Sequence, residues 1–331
     1  MLTIAKTLAL TAGTALVAAL LLSGTPAFAK SHSTGAHHRA GTHASRLHSG
    51  HHAKKSKKRS SPDARKLFSA VKAPSSQSPK SIGAYWNGCL AGASTLPIDG
   101  AHWQVMRLSR NRHYGRQELI EYIKKFSDRA HNAGWNGLLI GDMNQPRGGP
   151  MPSGHASHQI GLDTDIWLTP APQRTLTAEE RETMDAHSVL KIDSGDLDPN
   201  VWTPEHAAMV KEAAQDSNVQ RIFVTPAIKK YLCDRKDPQG ADTTWLRRLR
   251  PYEGHDEHIH VRLYCPKGDG SCAAQEDPPA GDGCGSELTD WLQKVANDPP
   301  YTSNPTPPTP KTPFPLSSMP AACKAVLNAK P

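Results

Sequence analysis

The sequence predicts an α+β domain from three features. One long segment has helical apolar spacing, several short segments have strand character, and six cysteines are available to staple the chain. Residues 117–130 place Leu119, Ile120, Tyr122, Ile123 and Phe126 on one helical face. Residues 137–143 follow as a short apolar run that reads as a buried strand, and residues 161–167 alternate as a second. Thr203-Pro204 has the pattern of an N-cap followed by proline in the first helical position, opening a helix through Ala214. Residues 221–225 form another short apolar strand, and the alternating segment 258–265 closes the set.

The domain predicted from these elements occupies residues 81–298. Residues 1–29 carry a single charge, Lys6, then an apolar run ending in Pro26-Ala27-Phe28-Ala29. That is the pattern of a signal peptide cleaved after Ala29, and it implies export to an oxidising compartment. The first cysteine, Cys89, is far from the cleavage site, which argues against a lipid anchor, and no later segment is apolar enough to span a membrane. Residues 30–80 are rich in His, Ser, Lys and Pro and are predicted to be disordered, as a spacer or as a segment adhering to anionic wall polymers. Residues 299–331 are read as an extended Pro-rich strap whose far end, Cys323, pairs with the body.

The formal net charge of +8 invites a nucleic-acid partner, but its distribution excludes one. Residues 30–66 carry ten Lys and Arg against the single acid Asp63, so the chain after Lys66 is slightly acidic. Six cysteines allow three disulfides in about fifteen pairings. Cys265 and Cys272 bracket a short loop that could close locally.

Metal-type ligands concentrate in two places. Residues 153–167 hold His155, His158, Asp163 and Asp165, and strand alternation puts both aspartates on one face with little apolar cover. Residues 255–264 hold His255, His258 and His260, where His258, His260 and Arg262 alternate with Ile259, Val261 and Leu263. A catalytic zinc needs three protein ligands and an open position, and His158, Asp165 and His260 supply two imidazoles and one carboxylate. The net charge of such a site lowers the pKa of water to about 7, and His258 beside it titrates in the range suited to a general base. The chemistry this predicts is metal-assisted amide hydrolysis. A structural zinc would usually close its fourth position with Cys, and neither cluster supplies one for that purpose. His102, His113, His131, His187 and His206 read as structural.

These two segments, with residues 81–107, 138–149, 220–232 and 281–292, resemble the penicillin-insensitive murein endopeptidases. That family belongs to the wider group of zinc peptidases that includes lysostaphin, D-alanyl-D-alanine peptidases and the hedgehog domain. The resemblance implies a fold with an antiparallel-rich central sheet that carries the zinc site, with helices packed on it. It implies His158, Asp165 and His260 as zinc ligands, His155 as a further metal-binding histidine, His258 as the base and His255 as a second active-site histidine. It also implies the disulfides Cys89–Cys323, Cys233–Cys284 and Cys265–Cys272. The implied activity is periplasmic hydrolysis of the D-alanyl-meso-diaminopimelyl bond that cross-links peptidoglycan, with a monomer as the simplest default. The alternatives are a zinc D,D-carboxypeptidase and a non-catalytic zinc-containing cell-wall binding domain. Insensitivity to penicillin fits a chain without a serine nucleophile: Ser69–Lys72 and Ser188–Lys191 match Ser-x-x-Lys, but no Lys-Thr-Gly or Ser-Asp-Asn accompanies them.

Overall fold

The computed structural model describes residues 61–152, 155–235, 242–297 and 312–331. In chain order these form α1 (Ala64–Ser69), β1 (Lys80–Ala84), β2 (Asn87–Ala91), β3 (Ser94–Thr95), β4 (Trp103–Val105), β5 (Tyr114–Gly115) and α2 (Gln117–Asn132). There follow β6 (Leu138–Ile140), β7 (Asp163–Trp167), α3 (Ala178–Thr183), α4 (Pro204–Gln215), β8 (Val219–Val224) and α5 (Pro226–Asp234). The last are β9 (Leu249–Pro251), β10 (His258–Leu263), α6 (Ser286–Asn297) and α7 (Ala322–Asn328). The signal-peptide segment, residues 30–60 of the basic tail and residues 298–311 of the Pro-rich stretch lie outside the described residues. Among the described residues no helix is long and apolar enough to cross a membrane.

The central sheet has the order β4-β6-β7-β10-β8-β9, antiparallel through its middle and parallel at its two edges. This is the α+β architecture expected from the sequence. Its core face carries Ile140, Ile166, Ile222, Val224, Ile259 and Val261, all fully buried. The apolar stripe of α2 and buried residues of α4 and α5 join the same core. Thr203 caps α4 in a reciprocal box with His206, and Pro204 opens the helix. His206 also bonds the Leu168 carbonyl oxygen, at 2.9 Å, so its role is structural.

Register is what builds the site. On the opposite face β10 pairs with β7 so that His258 stands across from Trp167, His260 from Asp165, and Arg262 from Asp163. Cross-strand partners have adjacent side chains, so a strand-strand register brings each ligand to its neighbour.

Defined structure extends into the segment that composition predicts to lack it. Residues 61–79, expected to lack structure, include α1, whose Ala64 and Phe68 are fully buried against Ile82, Cys89, Met319, Cys323 and Val326. The apolar surface that orders this segment comes from the far end of the chain, where local composition cannot register it. Ala64 N–H donates to the Phe314 carbonyl oxygen at 2.8 Å, and Leu316 N–H to that of Pro62 at 2.9 Å. The end of the chain is likewise not an extended strap after Pro315: residues 316–318 turn and α7 follows, with Cys323 and Val326 on its buried side. Disulfides join Cys89 to Cys323, Cys233 to Cys284 and Cys265 to Cys272. The first ties α7 to β2, and Arg147 reinforces the closure by donating to the Val326, Leu327 and Ala73 carbonyls.

Candidate active site

Two kinds of backbone converge on Asp165. On the strand side, β10 presents His258 and His260 on the same face as Arg262, and β7 presents Asp163 and Asp165 opposite them. Both aspartates are buried, at 0% and 4% exposure, on a face with little apolar cover, as the alternation predicts. Its cover is polar, made of histidines and arginines rather than aliphatic side chains.

On the loop side, the chain between β6 and β7 carries His155 and His158. Gln145 anchors it by donating to the Gly148, Gly149 and Pro150 carbonyls. Gly148 and Gly149 both have positive φ, and a Cβ at Gly149 would stand 2.4 Å from the Phe68 ring. His158 itself has φ of 62°, a left-handed conformation unusual for a non-glycine residue. That turn carries its fully buried ring back to Asp165.

The distances describe a single focus. Asp165 Oδ1 lies 3.3 Å from His158 Nε2, 3.5 Å from His260 Nδ1 and 3.8 Å from His258 Nε2, and Asp165 Oδ2 lies 3.6 Å from His155 Nδ1. His155, His158 and Asp165 have ligand atoms within 4.8 Å of one another, a grouping able to hold a metal ion. Each of the three ligand-type histidines spends its other nitrogen on an acceptor. His158 Nδ1 meets the Met143 carbonyl oxygen at 2.8 Å, His260 Nε2 meets Asp163 at 3.0 Å, and His155 Nε2 meets Asp142 at 2.9 Å. The committed nitrogen carries the proton, so the lone pair of the other faces the focus.

A metal fits this arrangement. His158 Nε2 and Asp165 Oδ1 are both buried, and neither forms a hydrogen bond among the described residues. Leaving two such atoms unsatisfied is costly unless a cation meets both. Two groups bound to one tetrahedral zinc at roughly 2.0–2.1 Å stand about 3.3 Å apart, which matches the His158–Asp165 separation of 3.3 Å.

Electrostatics keep the carboxylates ionised and favour the neutral ring at three of the histidines. Burial works to raise the carboxyls of Asp142, Asp163 and Asp165, but their neighbours prevail and hold all three well below the usual carboxylate range. Those neighbours are His155, Arg112 and Arg110 at Asp142; Arg262, His260 and His158 at Asp163; and His158, His258 and His155 at Asp165. Burial pushes His260 down to about 4, helped by the nearby His158 and opposed by Asp163. His158 moves the other way: burial lowers it, and the Asp165 carboxylate more than compensates. Burial also lowers His258, and it lowers His255 strongly with help from His258 and His260. Both are therefore neutral at pH 7. His255 Nδ1 donates to the Glu253 carbonyl oxygen at 2.8 Å, leaving its Nε2 lone pair free, and its ring centroid lies 5.1 Å from that of His258. His258 retains 23% side-chain exposure and, with the partly exposed His155 and His255, forms the wet edge of the cluster, whereas His158, Asp165 and His260 are buried.

Known proteins share this arrangement's sequence. The family described as penicillin-insensitive murein endopeptidase matches residues 81–328. Curated relatives of that name include one from Klebsiella pneumoniae (strain 342), 43% identical over 258 residues, which are 78% of this chain and 89% of the relative. One from Escherichia coli O6:K15:H31 (strain 536 / UPEC) is 43% identical over 251 residues, covering 76% and 87% of the two chains. One from Yersinia pestis bv. Antiqua (strain Antiqua) is 42% identical over 256 residues, covering 77% and 88%. The chain belongs to this family. It is thus a peptidase, a murein endopeptidase of the penicillin-insensitive kind.

In this murein endopeptidase, the six residues of the two clusters to which the sequence assigns a role at the metal site come together. His155, His158, Asp165 and His260 surround one point, His258 borders it and His255 stands behind His258. Sequence reasoning missed Asp142, which follows β6 and accepts from His155, Arg110 and Arg112. No local pattern marks it, because its partners come from two distant segments, Arg110 and Arg112 between β4 and β5 and His155 before β7. Asp163 was visible as a carboxylate sharing the Asp165 face, but its partners were not.

Proposed function

We propose that this chain is a zinc-dependent D,D-endopeptidase that cleaves the D-alanyl-meso-diaminopimelyl cross-links of peptidoglycan in the periplasm. His158, Asp165 and His260 would hold the zinc, with His155 as a further ligand. One observation carries this reading: His155, His158 and His260 each have one nitrogen bonded to an acceptor and the other turned toward Asp165. When bound, zinc supplies Lewis acidity, bringing the pKa of water to about 7 and polarising a carbonyl.

The chain's own groups supply the proton chemistry. His258 is neutral and partly exposed at the edge of the cluster, so it accepts a proton from the attacking water at Nε2 and returns it to the leaving amine. His255, with Nδ1 held by Glu253, keeps a fixed ring beside His258. No step requires a serine nucleophile, in keeping with insensitivity to penicillin. The signal-peptide pattern at residues 1–29 supports the periplasm.

Digestion of purified cross-linked muropeptides, with and without a chelator, alongside metal analysis of the protein, tests this. Dimers should become monomers, the chelator should stop the reaction and zinc should restore it. Release of free D-Ala without cross-link cleavage would make the enzyme a carboxypeptidase, and activity indifferent to the chelator would remove the zinc.

A further inference from the structure

We infer that Asp163 is a positioning residue that sets the affinity and geometry of the metal site, an inference that rests on the zinc reading above. Its carboxylate is fully buried and receives three donors, two from β10 and one from the loop before β7. Oδ1 accepts from His260 Nε2 at 3.0 Å and Arg262 Nε at 2.7 Å, and Oδ2 accepts from the backbone N–H of His158 at 3.1 Å. One carboxylate thereby orients the ring of His260 and fixes the left-handed turn that delivers His158. These two proposed ligands come from different elements, and Asp163 ties them together from the side away from Asp165, the residue both rings face.

The carboxylate is itself held in place. The Arg262 guanidinium lies 4.3 Å from the Tyr85 ring centroid and 5.4 Å from that of Phe223, and Nη1 donates to Gln275 at 2.7 Å. Clamped between two rings, Arg262 cannot follow Asp163 to a new position. The left-handed conformation of His158 has an energetic cost that the Asp163 bond offsets.

Asparagine cannot replace this group. With its oxygen toward His260 and Arg262, its amide would face the His158 N–H, donor against donor. Flipped, it would face the other two donors instead. Asp163→Asn therefore loosens at least one ligand in either orientation.

The experiment measures zinc affinity by competition with a chromophoric chelator, and the visible spectrum of the Co(II)-substituted protein, beside the melting temperature. Asp163→Asn should bind zinc about 10–100-fold more weakly and shift the Co(II) bands. A folded Asp163→Asn protein with wild-type zinc affinity and an unchanged Co(II) spectrum overturns the inference, whatever its melting temperature, because a merely structural role moves only the latter. If that variant does not fold, Arg262→Lys decides, since it keeps the charge and loses the clamped fork. Zinc binding weakened several-fold supports the inference, and unchanged affinity and spectrum overturn it. Failure of the wild-type protein to bind zinc would instead sink the zinc reading, and it is seen before any variant is made.

Discussion

The strand and the loop deliver their histidines to Asp165 by different physics. β10 places His258 and His260 by the period of an extended chain, and pairing with β7 sets their distance from Asp165. The loop before β7 has no period. It places His155 and His158 through glycines at positive φ, a left-handed His158, the Gln145 bonds and the Phe68 ring packed under Gly149. A strand-borne ligand is thus secured by the sheet, whereas a loop-borne ligand depends on whatever buttresses the loop.

The largest expected effects separate binding from turnover within the strand itself. His260→Ala should lose both zinc and activity, whereas His258→Ala should keep zinc and lose about 10²–10⁴ in rate. Metal content and muropeptide turnover read the two independently, and an active His258→Ala enzyme would end its assignment as the base.

The buttress is tested next. Phe68→Ala removes a fully buried ring and should cost about 3–5 kcal/mol of stability. Because that ring supports Gly149, the variant should also bind zinc more weakly, while the β7–β10 pairing persists. Thermal melting with chelator competition checks both, and undiminished zinc affinity would show that the loop holds itself.

Acidification sharpens the same contrast in the metal-free protein. His255, His258 and His260 have ring pKa values lowered by folding, so the unfolded chain binds more protons and their contribution to stability is lost as pH falls below about 6.5. For His260, lowered to about 4, the loss is roughly 3 kcal/mol by pH 4. His158 on the loop has a raised value, so its contribution is present below about 6.5 and is lost as pH rises. The melting temperature of chelated protein should therefore fall between pH 7 and pH 4.5, and His158→Ala should steepen that fall. A rise on acidification would mean the loop histidine outweighs the other three.

The smallest effect concerns the basic tail. Deleting residues 30–57 should leave cleavage of small soluble muropeptides unchanged and weaken adsorption to sacculi at low salt. Extending the deletion through Ser69 should reproduce the loss seen in Phe68→Ala, because α1 goes with it. Equal melting temperatures for the two deletions would place the domain boundary back at Ser81.

Much of the site was legible because strands write their geometry into the sequence. The alternation of residues 258–263 put His258, His260 and Arg262 on one face, and that of residues 161–167 did the same for Asp163 and Asp165. The amphipathic stripe of α2 and the Thr203-Pro204 start of α4 were local signals of the same kind. Asp142 was illegible because its partners, Arg110, Arg112 and His155, belong to loops that only the folded chain brings together. The ordering of α1 was illegible for the same reason, since its apolar partners include Met319, Cys323 and Val326.

By itself, then, the sequence determined which residue types were available for metal-assisted hydrolysis and on which face of each strand they stood. Only the tertiary structure decided which nitrogen of each histidine is free, how the loop turns at His158 and that α1 belongs to the folded core. Periodicity is a property of neighbours along the chain, whereas tautomer, buttress and boundary depend on atoms brought together from distant segments.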